Sequence, residues 1–99
     1  MVKHIIIWDM KDEFSSAEKA ENSAKIKEGL EGLSGKIDGL VDIKVYTKFF
    51  ESSNGDIMLD STFTDNEALK AYQVNPDHLK VATFVRSCVS ARKCVDFEI

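Results

Sequence analysis

The sequence has few of the residues that mark disulfide scaffolds, zinc modules and membrane proteins. Only two cysteines occur among its 99 residues, and no CxxC pair is present. The longest early apolar run, residues 5–8, is far shorter than the roughly 20 residues of a membrane span. It is also too short for a signal peptide, and no small-residue cleavage site follows it. We therefore expect a cytoplasmic protein with no membrane partner.

Basic charge is also scarce. Lys and Arg number 13 against 17 Asp and Glu, which leaves a net charge of −4 at neutral pH. Nonspecific affinity for nucleic acid comes from clustered Lys and Arg, so nucleic acid is not an expected partner. The 43% of hydrophobic residues is ordinary for a globular chain, and this length can bury one core. A single domain over residues 1–99 follows.

The two cysteines, Cys88 and Cys94, lie in a stretch with the pattern of a β-strand. Strand geometry would separate their Cα atoms by roughly 20 Å, whereas a disulfide tolerates at most about 7 Å. We predict two unpaired thiols, as is usual in a reducing compartment. The spacing of the cysteines and histidines indicates no metal site.

The first third of the chain reads as a strand followed by a helix. Residues 2–10 are rich in β-branched and aromatic side chains, which is typical of a strand. Ser15 and Glu18 have the spacing of a capping box, and the apolar residues that follow recur with helical periodicity. This pattern predicts a helix over residues 16–34 that stops near Gly35.

Two alternating stretches follow, with a turn signal between them. Apolar and polar residues alternate from 41 to 50, which predicts a second strand. Asn54-Gly55 is a strong hairpin signal, and alternation resumes from Ile57. We therefore predict an antiparallel hairpin of strands two and three.

The last third contains two short helices and a final strand. Thr64 and Glu67 form a second capping-box spacing ahead of a helix that must end before Pro76. Proline fits the first position of a new helix, so Asn75 is the predicted cap of a third helix over residues 76–86. Apolar and polar residues then alternate to the last position, which predicts strand four.

The order β-α-β-β-α-β is the ferredoxin-like α+β pattern, an antiparallel sheet with helices on one face. In either register, apolar side chains remain on the face that no helix covers. Large exposed apolar patches usually mark interfaces, so we predict a homodimer that forms through the sheet faces. The residues that compete for the two faces are His4, Trp8, Tyr46, Phe50 and Met58.

Four segments carry a resemblance to a known family: VKHIII, LSGKIDGLVDIKV, FTDNEALKAYQVNPDHLKVATFVR and VDFE. Together they resemble the stress-responsive A/B barrel domain (Dabb) family of dimeric α+β barrels. The resemblance covers nearly the whole chain and is weakest in the hairpin. It implies a ferredoxin-like protomer whose sheet joins that of a second protomer to make a barrel.

The resemblance also implies a site. In olivetolic acid cyclase, a plant member that closes a linear polyketide thioester by aldol condensation, a tyrosine at the end of the second helix and a histidine six residues later form the catalytic pair. These positions match Tyr72 and His78. A histidine in the first strand lines the pocket and matches His4, which we predict to be ligand-binding. The implied ligand is a small apolar or carbonyl-bearing molecule, with cyclase-like or lyase-like chemistry.

Physical chemistry supports one part of this hypothesis. His78 stands near a helix N-terminus, where the positive end of the helix dipole disfavours imidazolium and keeps the ring neutral. A neutral imidazole can accept a proton from a carbon beside a carbonyl, and the Tyr72 phenol can stabilise the resulting oxyanion. The alternative is that both residues are structural. His78 would then hydrogen-bond a nearby backbone group, and Tyr72 would be a core residue with its hydroxyl at the edge of the core.

Three function classes therefore stay open: a cyclase-like or lyase-like enzyme, a noncatalytic stress-associated binding module, and a haem-handling or monooxygenase-type barrel. No glycine-rich phosphate loop and no GxSxG motif occurs, and we expect no cofactor. Arg86 and Arg92 could hold a carboxylate or a thioester-linked phosphate, although surface ion pairing is the commoner role of such residues.

Overall fold

The protein, analysed as a computed structural model, is described over all of residues 1–99. Its four strands form one antiparallel sheet in the order β2-β3-β1-β4. The helices cover one face of this sheet, so the ferredoxin-like α+β class is confirmed. No helix has the length and apolar character required to cross a membrane. The elements are β1 Val2–Met10, α1 Ser16–Glu31, β2 Leu40–Tyr46, β3 Ile57–Phe63, α2 Asn66–Val74, α3 Pro76–Cys88 and β4 Val89–Glu98.

Helix α1 begins as predicted but ends earlier. The Ser15 hydroxyl accepts a hydrogen bond from the Glu18 amide at 3.1 Å, and the Glu18 carboxylate accepts one from the Ser15 amide at 2.9 Å. The helix stops at Glu31 and not at residue 34. Its last turn tightens because the Ser34 amide donates to the Glu31 carbonyl at 3.1 Å, and the chain then reverses at Gly35.

The predicted hairpin turn is wrong in its length. Strand β2 ends at Tyr46, and residues 47–56 form an irregular connection to β3. The residue after Asn54-Gly55 is held by β1 and not by a tight turn, because the Asp56 amide donates to the Trp8 carbonyl at 3.0 Å. The Asp56 carboxylate also accepts from the amide of Met10 at 2.7 Å.

Two local predictions in the last third need correction. The cap of α2 is Asp65, whose carboxylate accepts from the Ala68 amide at 2.8 Å, and not Thr64. Cys88 ends α3 and does not lie in a strand, although both thiols are free as predicted. The start of α3 is as predicted: Pro76 is its first residue, and the Asn75 side chain caps it.

The sheet register decides which side chains face the helices. Alternate β1 residues are buried beneath the helices, and these include His4 and Trp8. Tyr46 and Met58 are paired with each other on the opposite face. Phe50 lies in the connection and is 89% exposed. The open face therefore carries an apolar band made by Ile5, Ile7, Tyr46, Met58, Val95 and Phe97.

Gly39 provides a test of how closely β2 packs against α2. Gly35 and Gly39 both have φ near +80°, at 78° and 81°, but only a Cβ on Gly39 would collide with the Ala68 side chain. A Cβ on Gly35 meets nothing within 4 Å. We expect Gly35→Ala to cost about 1–2 kcal/mol of unfolding free energy from backbone strain, and Gly39→Ala about 1–3 kcal/mol more from overpacking. Urea unfolding measures both, and equal losses would contradict this account of the packing.

Candidate functional site

A cavity of about 130 Å³ lies between the sheet and helices α2 and α3. Exposed side chains of Gln73, Arg86 and Arg92 line it and mark its opening. A dry cavity of about 150 Å³ can hold one benzene molecule, so this one suits a single ring or a short chain. Its apolar wall includes Ile6, Trp8, Leu30, Leu59 and Val85.

Tyr72 forms one wall of the cavity. It lies near the end of α2 and is 0% exposed, with its ring centroid 4.9 Å from that of Phe63. Its hydroxyl is buried and has no hydrogen-bond partner in the protein. Burial raises the pKa of the phenol well above its usual value, so the group stays protonated and can act as a donor. An unpaired buried polar atom costs about 1–3 kcal/mol, which favours a ligand atom at this place.

His78 stacks on Tyr72. The chain breaks between α2 and α3 at Asn75-Pro76, and this places the His78 ring centroid 4.0 Å from that of Tyr72 with a tilt of 34°. The ring is half-buried, and its Nδ1 is buried without a hydrogen-bond partner. The two buried side-chain polar atoms that lack a hydrogen-bond partner are thus on adjacent rings of one cavity.

The pKa of His78 is lowered, chiefly because burial penalises the charged ring. The Gln73 backbone opposes the shift, while electrostatic interactions with His4, Arg86 and Arg92 add to it. The neutral ring predicted from the helix dipole therefore has a different main cause, namely burial.

His4 is held beneath the cavity by the sheet register. It is 2% exposed and lies opposite Ser61 on β3 and Asp96 on β4. Its Nδ1 hydrogen-bonds to the Asp96 carboxylate, and its ring meets that of Tyr72 edge-on with centroids 6.2 Å apart. A carboxylate accepts hydrogen bonds, so Nδ1 carries the hydrogen of this bond.

One group of side chains has the donor types of a metal site. The donor atoms of His4, Cys94 and Asp96 lie within 4.8 Å of one another. Burial and the neighbouring Asp96 carboxylate, however, raise the pKa of the Cys94 thiol. Both the His4 Nδ1 and the Cys94 thiol hydrogen-bond to the Asp96 carboxylate, the thiol at 3.5 Å. The geometry therefore favours a hydrogen-bonded His–Asp pair.

Comparison with known proteins agrees with this architecture. The family model of the stress responsive A/B barrel domain, Dabb, matches residues 2–99. The chain belongs to this family. No curated protein matches the sequence.

Several solved structures resemble this Dabb protein. A dimeric protein of unknown function from Bacteroides fragilis is 28% identical, with a TM-score of 0.92 over 99% of this chain and 95% of that one. A dimeric ferredoxin-like protein of unknown function from Jannaschia sp. CCS1 is 21% identical, with a TM-score of 0.80 over 99% and 98%. The hydroxynitrile lyase of Passiflora edulis is 16% identical, with a TM-score of 0.74 over 99% and 92%. The last two similarities show the fold alone.

All three residues singled out in the sequence, His4, Tyr72 and His78, line this cavity of the Dabb protein. Their roles stay predictions. The sequence interpretation did not include Asp96 or Gln73. The signal for Asp96 is the pairing of the VDFE segment with β1, which is visible only when the register is known.

The lowered pKa of His78 predicts a pH-dependent stability. In the unfolded chain His78 titrates near its ordinary pKa of 6.5. Just below this pH the unfolded state therefore binds a proton that the folded state does not bind. Stability is full above this value and falls as the pH drops from 6.5 toward the folded pKa. We expect His78→Gln to lose less stability than wild type between about pH 7.5 and pH 5.

Urea midpoints across this range measure the effect. Leu79→Gln is the matched control, because it changes the neighbouring exposed position of α3 without removing a titrating group. Identical pH slopes for wild type and His78→Gln would show that the folded protein does not depress this pKa.

Proposed function

We propose that this Dabb protein binds a small carbonyl-bearing molecule in the cavity and moves a proton at the carbon beside the carbonyl. This step is shared by polyketide cyclase and aldol-type lyase chemistry. One observation carries the proposal: the Tyr72 hydroxyl and His78 Nδ1 are buried, adjacent and without protein partners. Buried polar groups in native proteins are nearly always paired, and exceptions cluster at functional sites.

The roles follow from the protonation states. His78 is neutral, so its ring accepts the proton as general base while the electrons of the broken C–H bond form an enolate. Tyr72 keeps its proton and donates a hydrogen bond to the enolate oxygen. His4, whose Nδ1 is bonded to Asp96, contacts the ligand through Nε2 and completes the polar side of the cavity. The enolate carbon then either takes the proton back from His78 or attacks a second carbonyl carbon. In the second case the π electrons of that C=O bond move to its oxygen, and the resulting alkoxide takes the proton from His78.

The two alternatives make different use of the same cavity. A noncatalytic, stress-associated binding module would hold the ligand without proton transfer, so binding without exchange is its signature. A haem-handling barrel needs far more room than about 130 Å³, a volume close to that filled by one benzene ring. The geometry therefore favours a small ligand over haem.

Proton transfer can be tested before the natural substrate is known. Hydrogen–deuterium exchange at the α-carbon of small ketones and short polyketide thioesters, followed by NMR, reports the step directly. We expect His78→Ala to slow exchange by about 100-fold or more while ligand binding changes much less, because a general base contributes about that factor. Binding by wild type without exchange would support the binding module and reject catalysis.

The Tyr72→Phe variant should be more stable than wild type but less active. Removal of an unpaired buried hydroxyl relieves its desolvation cost, so the variant should gain about 1 kcal/mol of unfolding free energy while exchange slows. Phe63 provides the matched control, since Phe63→Leu in the same ring cluster removes packing and should only lose stability. A Tyr72→Phe variant that loses stability would show that the hydroxyl has a structural partner.

We also propose that the protein is a cytoplasmic homodimer that pairs through its open sheet faces. Two of the similar structures are described as dimeric. On the open face Val95 is 58% exposed and Phe97 48% exposed, and they continue the apolar band across β1 and β3. Burial of this band against a second copy removes apolar surface from water.

Light scattering tests the dimer. Wild type should show twice the mass of one chain, and Val95→Lys should show the mass of one chain with its far-UV circular dichroism unchanged, because a charge in the sheet interface is desolvated without a partner. Val74→Lys is the control, since Val74 is 72% exposed on α2 and should not affect assembly. A single-chain mass for wild type at micromolar concentration would reject the proposal.

A further inference from the structure

The opening of the cavity carries two cations that the protein does not neutralise. Arg86 on α3 and Arg92 on β4 both line the cavity and are exposed. Neither takes part in any of the five ion pairs of the structure. The surface ion pairing considered for them in the sequence is therefore not formed.

These two cations are unusual in their setting. The protein carries a net charge of −4, yet Arg86 and Arg92, its only two arginines, both line this cavity, and no Asp or Glu lines it with them. Asp96, which lies on the same face of β4 as Arg92, is already hydrogen-bonded to His4. Positive charge is thus concentrated at one opening of an acidic protein.

The arginines also act on the interior of the cavity. Their charges contribute to the lowered pKa of His78, so they are within electrostatic reach of the proposed base. Positive charge within electrostatic reach of the cavity stabilises both a bound anion and an enolate. Guanidinium groups bind oxyanions through paired N–H donors, whereas lysine offers only a point charge.

We infer that the ligand is an anionic carbonyl compound, with the carbonyl inside the cavity near Tyr72 and an oxyanion at the opening between Arg86 and Arg92. The cavity of about 130 Å³ limits the enclosed part to one ring or a short chain. The oxyanion is either a carboxylate of the molecule itself or a phosphate of a thioester carrier. This inference rests on the proposed function, because it names the substrate class of the same cavity.

The test uses matched probes that differ in charge. 4-Acetylbenzoate and 4-acetylbenzamide have the same shape, and only the first is an anion. Acetyl-4′-phosphopantetheine and acetylpantetheine form a second pair, which differs only in the carrier phosphate and so separates a phosphate from a carboxylate. We expect the anion of at least one pair to bind about tenfold or more tightly than its neutral partner by calorimetry at low salt.

The variants assign this preference to the two arginines. Arg86→Gln combined with Arg92→Gln should remove the preference, and thermal unfolding checks that this surface variant still folds. Lys80→Gln should keep the preference, since Lys80 is an exposed cation of the same helix that lies outside this cavity. The preference should shrink at high salt, where exposed charges are screened.

The possible failures are distinguishable. Equal binding of anion and neutral partner, a preference that survives the double arginine variant, or no binding of any probe would overturn this inference. If α-carbon exchange still depends on His78 in those cases, the proposed function stands alone. A preference for the anion without exchange on any substrate would overturn the proposed chemistry and leave the anionic ligand.

Discussion

The register of β1 is the constraint on which the rest of the molecule depends. This strand is hydrogen-bonded to β3 on one side and to β4 on the other, and it places Ser61, His4 and Asp96 in one cross-strand row under the helices. A slip of β1 by one residue would turn His4 and the other buried β1 side chains to the open face, away from Ser61 and Asp96. The cavity floor, the His–Asp pair and the apolar band of the opposite face are therefore consequences of one pairing.

A second constraint is the break between α2 and α3. In a continuous helix two residues six positions apart lie about 120° apart around the axis, so their rings could not stack. Asn75 ends α2 and caps α3, and Pro76 cannot continue the first helix. This break allows the rings of Tyr72 and His78 to stack at 4.0 Å between centroids. Two residues of ordinary capping chemistry thus create the pair on which the proposed function depends.

The site is stabilised by its surroundings and not by its own contacts. Two buried polar atoms without partners oppose folding, and each costs about 1–3 kcal/mol. The apolar side chains that pack β1 and β3 against the helices offset this cost through burial of their surface. Buried side-chain polar atoms lack hydrogen-bond partners only at the cavity. Such a local exception is expected at a functional site. Arg86 and Arg92 at the opening of the cavity likewise have no ion-pair partner.

The amino-acid sequence by itself determined the element types, the capping box of α1, the start of α3 and the ferredoxin-like order, because periodicity and capping are local properties. It also singled out His4, Tyr72 and His78 through the family resemblance. The length of the β2–β3 connection was decided by contacts with distant residues, namely the bonds between Asp56 and β1. The end of α1 and the cap of α2 depend on local hydrogen bonds, for which the sequence offered more than one position. Only the tertiary structure brought Asp96 to His4 and left Arg86 and Arg92 without ion pairs, because strand register and side-chain pairing are not encoded in any short stretch of the chain.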